Sequence, residues 1–337
     1  MATIGNTFLT LADVYKQTDE TRGIADIIEM LHQRLDLLAD APAMECNMGA
    51  THLTTVRTGL PEPTWRRLYE GVQPTKATTA QVKDATGMME AWSEMDAKLL
   101  DLSKNPGKLR LNEARAHIEG MAQECAETLV YGDIATEPEK FTGLAARFSD
   151  PSAGNGGQLV DGGGTAGTNT SIWFITWGEN SCHLLYPEGT QAGLKRKDLG
   201  TDTKEKADGS MYEVVREKFT WDVGLSVRDW RGVSVIKNID VTKLGADVEA
   251  DGYDGADLMD LMIDAYYNLD NPTQPQGNTA IYTSRTIATF LHKQARKEKN
   301  VNLTLEMVDG KPITSFLGHP IRRMDTLLET EAAVSFS

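Results

Sequence analysis

The residues that could carry chemistry are the histidines, the cysteines, a glycine run and one acidic repeat. The glycine run Gly162-Gly163-Gly164-Thr165-Ala166-Gly167 fits G-x-G-x-x-G. A dinucleotide site needs a strand before that pattern and a helix N-terminus after it to receive the pyrophosphate. Here the residues from Thr168 to Ile175 read as strand, so the segment is expected to be a glycine-rich loop. No G-x-x-x-x-G-K-[ST] phosphate loop occurs. Asp247, Glu249, Asp251 and Gly252 resemble the start of a calcium loop, but the twelfth position is Leu258, where a bidentate Glu is required. Asp254 and Asp257 instead suit the positive N-terminal end of a helix.

The six histidines, His32, His52, His117, His183, His292 and His319, show no H-E-x-x-H or other close metal spacing. Cys182 and His183 are adjacent, and neighbours on a strand point to opposite faces, so they do not form a nucleophile and base pair. The three cysteines, Cys46, Cys125 and Cys182, are odd in number, far apart and in no C-x-x-C spacing. This excludes a disulfide framework or zinc ribbon as the expectation and points to a reducing compartment. No catalytic residue, cofactor site or metal site is expected, and the protein is read as not an enzyme.

Those side chains need a body to carry them. At 337 residues, 40% hydrophobic and 25% charged, the chain can bury a substantial core without staples. The first residues show no basic segment followed by an apolar one, and Ser171 to Trp177 is far too short to span a membrane, so a soluble, unexported chain is expected. A net charge of −15 would repel a polyphosphate. The charge is nevertheless segregated. Residues 51–85 carry Arg57, Arg66, Arg67, Lys76 and Lys83 against Glu62, Glu70 and Asp84.

Ile24, Ile27, Ile28, Leu31, Leu35 and Leu38 predict an amphipathic helix over residues 22–40, ended by Pro42. From His52 to Ala85 the helical period vanishes, while Thr, Val, Trp and Tyr alternate with Gly59, Pro61, Pro63, Gly71 and Pro74. This predicts an extended hairpin that must lie on its own body or on a neighbour. Leu111, Ala114, Ile118, Met121, Cys125 and Leu129 form a stripe predicting a helix over residues 111–131, with Gly132 as a left-handed C-terminal cap. Strands are expected around 171–177, 183–186, 212–223 and 233–239, and helices over 256–269 and 285–297. Residues 303–307 and 312–316 flank Asp309-Gly310, a hairpin turn signal, and Ile321 begins another strand. The class is α+β.

Trp65, Leu68 and Tyr69 in the basic hairpin would expose costly apolar surface if left free. An acidic neighbouring subunit would satisfy both the charge and the aromatics, because aromatic residues and Arg are typical interface anchors. Arg57, Trp65, Arg66, Arg67, Tyr69, Lys76 and Lys83 are therefore the candidate subunit-interface residues.

These elements, in this order, resemble the major capsid proteins of tailed double-stranded-DNA phages, the Hong Kong 97-like fold shared with herpesvirus shells and encapsulins. The stretch Phe316-Leu317-Gly318-His319-Pro320-Ile321 with Asp325, Leu327 and Leu328 is similar to the F-L-G-x-P-V…D-x-L pattern that closes many of them. Val56-Arg57-Thr58-Gly59-Leu60-Pro61 with Trp65-Arg66, and Tyr131-Gly132-Asp133 leading to Phe141-Thr142-Gly143-Leu144, resemble capsid proteins of short-tailed phages. The resemblance implies an N-terminal arm (1–50), an extended loop (51–100), a peripheral domain with a spine helix (101–150), an axial domain (151–300) and a return to the peripheral sheet (301–337).

It further implies self-assembly into hexamers and pentamers of an icosahedral shell around DNA held without sequence-specific binding. A decoration or cement protein, a scaffolding protein and a portal are implied partners, with no membrane. The implied location is the virion capsid, assembled in the host bacterial cytoplasm. Some founding members carry a covalent Lys to Asn bond between subunits; Lys76 and Lys83 lie in the corresponding loop, but no acceptor motif matches. An encapsulin-type compartment shares the fold and differs in holding enzyme cargo. A soluble α+β enzyme with a dispersed site is the alternative from another class.

Overall fold

The computed structural model describes residues 35–165, 167–245, 254–270, 277–297, 303–308 and 311–336. The helices are α1 (Asp36–Asp40), α2 (Ala97–Leu102), α3 (Pro106–Tyr131), α4 (Leu144–Arg147), α5 (Leu258–Asn268) and α6 (Arg285–Lys297). The strands are β1 (Ala43–Glu45), β2 (Thr51–Gly59), β3 (Thr78–Asp96), β4 (Leu159–Asp161), β5 (Asn169–Trp177), β6 (Cys182–Tyr186), β7 (Lys195–Glu205), β8 (Met211–Val227), β9 (Val233–Asp240), β10 (Asn278–Thr283), β11 (Leu303–Val308), β12 (Lys311–Phe316) and β13 (His319–Arg323). They join in one mixed sheet of order β11-β12-β13-β10-β5-β6-β8-β3-β2, with β1 beside β6, β9 beside β5, β4 beside β9, and β7 beside β8.

The core is organised by β5, whose nine residues are all buried. Alternation along a strand sends successive side chains to opposite faces. Trp173, Ile175 and Trp177 accordingly pack with Cys125, Leu129 and Val130 of α3 and with Phe148. Ile172 and Phe174 pack with Leu258, Met262 and Ala265 of α5 and with Ile287 and Leu291 of α6. Each such fully buried side chain contributes about 1.5–3 kcal/mol relative to exposure.

The long helix α3 begins five residues before the expected Leu111. Asn105 caps it by accepting from the Lys108 N–H, and Pro106 occupies the first turn, where no donor is missed. Its 26 residues span roughly 39 Å. Two details of the sequence expectation are corrected. Leu111 and Ile118, assigned to the buried stripe, are 44% and 40% exposed, because that end of α3 is covered on the Leu109, Ala114 and Met121 face alone. Gly132 is not left-handed: its φ is −56° and ψ 136°. Glycine is needed there for space, since a Cβ would lie 2.5 Å from the Phe141 carbonyl oxygen and 2.6 Å from that of Thr128.

The helices expected over 256–269 and 285–297 form as α5 and α6, and Asp257 caps α5 by accepting from the Met259 and Asp260 N–H groups. Asp254 pairs with Lys243 instead. Strands β1, β4, β7 and β10 and helices α2 and α4 were not expected. Of the predicted 22–40 helix, Asp36–Asp40 is seen as helix, Leu35 instead bridges Met324, and residues 22–34 lie outside the described residues, as do Asp247, Glu249, Asp251, Gly252 and the Asp309-Gly310 turn. No helix among the described residues is long and apolar enough to cross a membrane.

Candidate functional site

Strand β3 belongs to two structures at once. From Thr86 to Asp96 it pairs antiparallel with β8 in the body. From Thr78 to Ala85 it pairs with β2 alone. The β2–β3 ribbon therefore leaves the body as an arm, and nine residues of strand carry it roughly 30 Å outward before the tip begins. Every residue from Leu60 to Lys83 is exposed. The ribbon narrows toward its tip through a register shift between Arg57 and Gly59 and a hydroxyl contact between Thr58 and Thr78.

All seven expected interface residues fall on this arm. Arg57 is near the end of β2, Lys83 lies opposite Leu53, and Trp65, Arg66, Arg67, Tyr69 and Lys76 belong to the tip. Trp65 and Tyr69 are 100% exposed and Leu68 is 85% exposed. Aromatic side chains of this size bury 150–250 Å² when they are covered, so the tip holds a large area of apolar surface in water. Tyr69 has a φ of 69°, a left-handed turn unusual for a bulky residue. The five cations of the arm make no ion pair among the described residues.

The root of the arm is built differently, from buried polar groups that the sequence reading missed. Arg147 of α4 donates to Asp84 at 2.8 Å, to the Leu225 carbonyl at 3.1 Å and to the Thr142 carbonyl at 3.3 Å. Asp84 is 4% exposed. Arg228 donates to Nε2 of His52 at 2.8 Å and to the Glu179 carbonyl at 3.1 Å. Asn47 holds the start of β2 by donating to the Leu53 carbonyl and accepting from its N–H.

A second buried junction fixes α3 to the sheet, further along β8 from the arm. Glu217 of β8, 1% exposed, accepts from Arg110 of α3 and from Arg196 of β7, and Arg110 also donates to Asp198. The hydrogen bond to Asp198, then those to Glu217, hold the Arg110 guanidinium above its ordinary range. No spacing in the sequence could have found these partners, which are 63 and 107 residues apart.

The residues singled out for catalysis do not come together. Cys182 joins the core beneath α3, whereas the His183 ring faces His52 across 6.0 Å. Burial pushes the thiols of Cys125 and Cys182 up to about 12, away from a reactive thiolate. The glycine loop leads from β4 into β5, a strand and not a helix, and Gly162 and Gly164 donate to the carbonyls of Lys237 and Asn238. Among the described residues no cluster of His, Cys, Asp or Glu could hold a metal ion.

A rigid sheet-and-helix body with a long spine helix and a projecting ribbon defines the class: this is a shell-forming protein of the Hong Kong 97-like capsid fold. The chain belongs to the family described as Major capsid protein GP7, which it matches over residues 19–335. Its structure is similar to that of bacteriophage Epsilon15, with 42% identity, a TM-score of 0.73 and coverage of 99% of both chains. It is also similar, at 13% identity and a TM-score of 0.44, to the capsid of a native GTA particle, covering 66% of this chain and 94% of that one. An encapsulin complex from Synechococcus elongatus PCC 7942 aligns at 12% identity and a TM-score of 0.46, over 69% of this chain and 97% of that one. No curated protein matches by sequence. The protein is a phage major capsid protein that builds a shell from copies of itself, as the resemblance implied.

Proposed function

We propose that the projecting ribbon is the clamp between subunits, with Arg57, Arg66, Arg67, Lys76 and Lys83 meeting the acidic surface of a neighbour and Trp65 and Tyr69 anchoring in it. The observation that carries this reading is the unbroken exposure from Leu60 to Lys83, with a bare Trp and Tyr at the tip of a chain whose net charge is −15. Complementary charge guides encounter, and buried aromatics supply the holding energy.

In this reading the body, braced by α3 and β8, is a rigid wedge that closes into hexamers and pentamers. Several contacts of about 1,200–2,000 Å² each would sum to a stable icosahedral shell while any one remained reversible. The division into an N-terminal arm (1–50), extended loop (51–100), peripheral domain (101–150), axial domain (151–300) and returning segment (301–337) is the working layout. An acidic inner surface would let double-stranded DNA move without sequence-specific binding. Scaffolding, portal and decoration or cement proteins are the further partners, assembly takes place in the host bacterial cytoplasm, and no step requires catalysis.

The test removes residues 60–77, or reverses Arg66→Glu and Arg67→Glu, and follows particle formation by sedimentation. A folded subunit that forms no particles is expected. Normal particles from either variant would refute the clamp.

A further inference from the structure

Where the arm leaves the body lie two histidines that a shell-building role does not explain. His52 is on β2, directly opposite Asp84 of β3, and His183 is on β6, directly opposite Ser226 of β8. They are 4% and 0% exposed, with ring centroids 6.0 Å apart and planes nearly perpendicular. A guanidinium can only donate, so the Arg228 contact makes Nε2 of His52 an acceptor and that imidazole neutral. Nδ1 of His52, Oδ2 of Asp84 and the Ser226 hydroxyl are buried without a hydrogen-bond partner in the protein, and His183 has only the Gly178 backbone beside it. Buried polar groups are ordinarily satisfied, so the polar groups gathered at this joint are costly to bury and weaken its hold on the arm.

The charges facing the pair come from every element around it. Arg228 follows β8, and Asp84 enters from β3 already bound to Arg147 of α4. The buried thiol of Cys46 lies between β1 and β2, and beyond it Glu45 and Glu188 accept from the Gly189 and Gly49 N–H groups. The one nearby buried carboxylate is thus committed to Arg147. A proton added to either imidazole would place a new cation beside Arg228 in a region from which water is excluded, and Asp84, shared with Arg147, offsets it only in part.

We propose that the His52–His183 pair is a proton-sensitive latch at the root of the arm, which seats the ribbon on β6 and β8 when neutral and releases it when protonated. The mechanism concerns the single chain, and its consequence for assembly rests on the reading of the ribbon as the clamp. Burial, then Arg228 and His52, push His183 down to about 4, with the Gly178 backbone and Asp84 opposing. Burial and Arg228 push His52 down as well, with Asp84 opposing. Once released into water, an imidazole returns to about 6.5.

Well above about 6.5 both forms are unprotonated and protonation does not favour opening. Between there and about 4 the open form binds more protons, so opening is favoured increasingly as pH falls, and the effect levels off below about 4. From pH 7.5 to 4.5, His183 alone shifts the opening equilibrium roughly 70-fold toward the open form.

Hydrogen exchange of the unassembled full chain, read by mass spectrometry and corrected for intrinsic rates, tests this. At pH 4.5 peptides covering Thr51–Gly59 and Thr78–Ala85 are expected to lose protection roughly 70-fold more than those covering Val233–Asp240. The His183→Phe variant, with a ring that cannot be protonated, should lose much less. An unchanged ribbon, a uniform loss across the chain, or an equal loss in His183→Phe would overturn the latch. If that variant does not fold, the pattern in the unsubstituted chain decides: a local loss supports the latch and a uniform one overturns it. Particles that form normally from Arg66→Glu and Arg67→Glu chains would defeat the clamp and leave the latch standing, whereas flat exchange would do the reverse.

Discussion

Replacing Arg147 by Met tests how the arm is held to the body. Arg147 is 19% exposed and Asp84, its partner, 4% exposed; the guanidinium also binds the Leu225 and Thr142 carbonyls. Met fills much of the same space without the charge and leaves a buried carboxylate with no cation. Breaking a buried pair from one side costs about 3–5 kcal/mol, because the stranded charge still carries its desolvation penalty. That is a large fraction of the roughly 5–15 kcal/mol by which a domain is stable. The exposed pair Lys243–Asp254, by comparison, should contribute about 0–1 kcal/mol.

The assay is urea unfolding of the unassembled chain, with Arg147→Met, Asp84→Asn and the double variant arranged as a cycle. The double variant should lose less than the sum of the two single losses, by at least about 1 kcal/mol, since it strands no charge. A single-variant loss below about 1 kcal/mol, or strict additivity, would show that the pair does not hold the root.

Two further outcomes concern the body, and the acid response of the latch stands beside them. Leu129→Ala should cost about 2–5 kcal/mol in thermal or urea unfolding, while Ile118→Ala on the same helix should stay within about 0.5 kcal/mol, because the first is fully buried and the second 40% exposed. Cys125 and Cys182 should resist a thiol reagent at pH 8 in the folded chain and react on unfolding, since burial holds both near 12. Rapid labelling of either in the native chain would contradict the packing described.

The sequence showed the parts of this fold whose local pattern and burial agree. The apolar run of β5 reads clearly because both its faces are covered, and the 51–85 ribbon reads clearly because repeated Gly and Pro exclude a helix. Strand β7, Lys-Arg-Lys-Asp-Leu-Gly-Thr-Asp-Thr-Lys-Glu, was invisible because it lies almost wholly in water and has no apolar alternation; its pairing comes from β8 alone. Leu111 and Ile118 misled because helical spacing marks a possible buried face, whereas tertiary contact determines how far along the helix that face is covered. The seven interface candidates could be picked out by charge and aromaticity. The root could not: Asp84 with Arg147, and His52 with His183, become neighbours only when β2, β3, β6 and α4 have converged.

The central claim is that the arm of one subunit grips another, and an electron cryomicroscopy reconstruction of the assembled particle tests it most directly. Trp65, Arg66, Arg67 and Tyr69 should lie in contact with a neighbouring subunit, the aromatics covered and the arginines beside its carboxylates. A tip standing free in solvent, or folded back on its own body, would contradict the account.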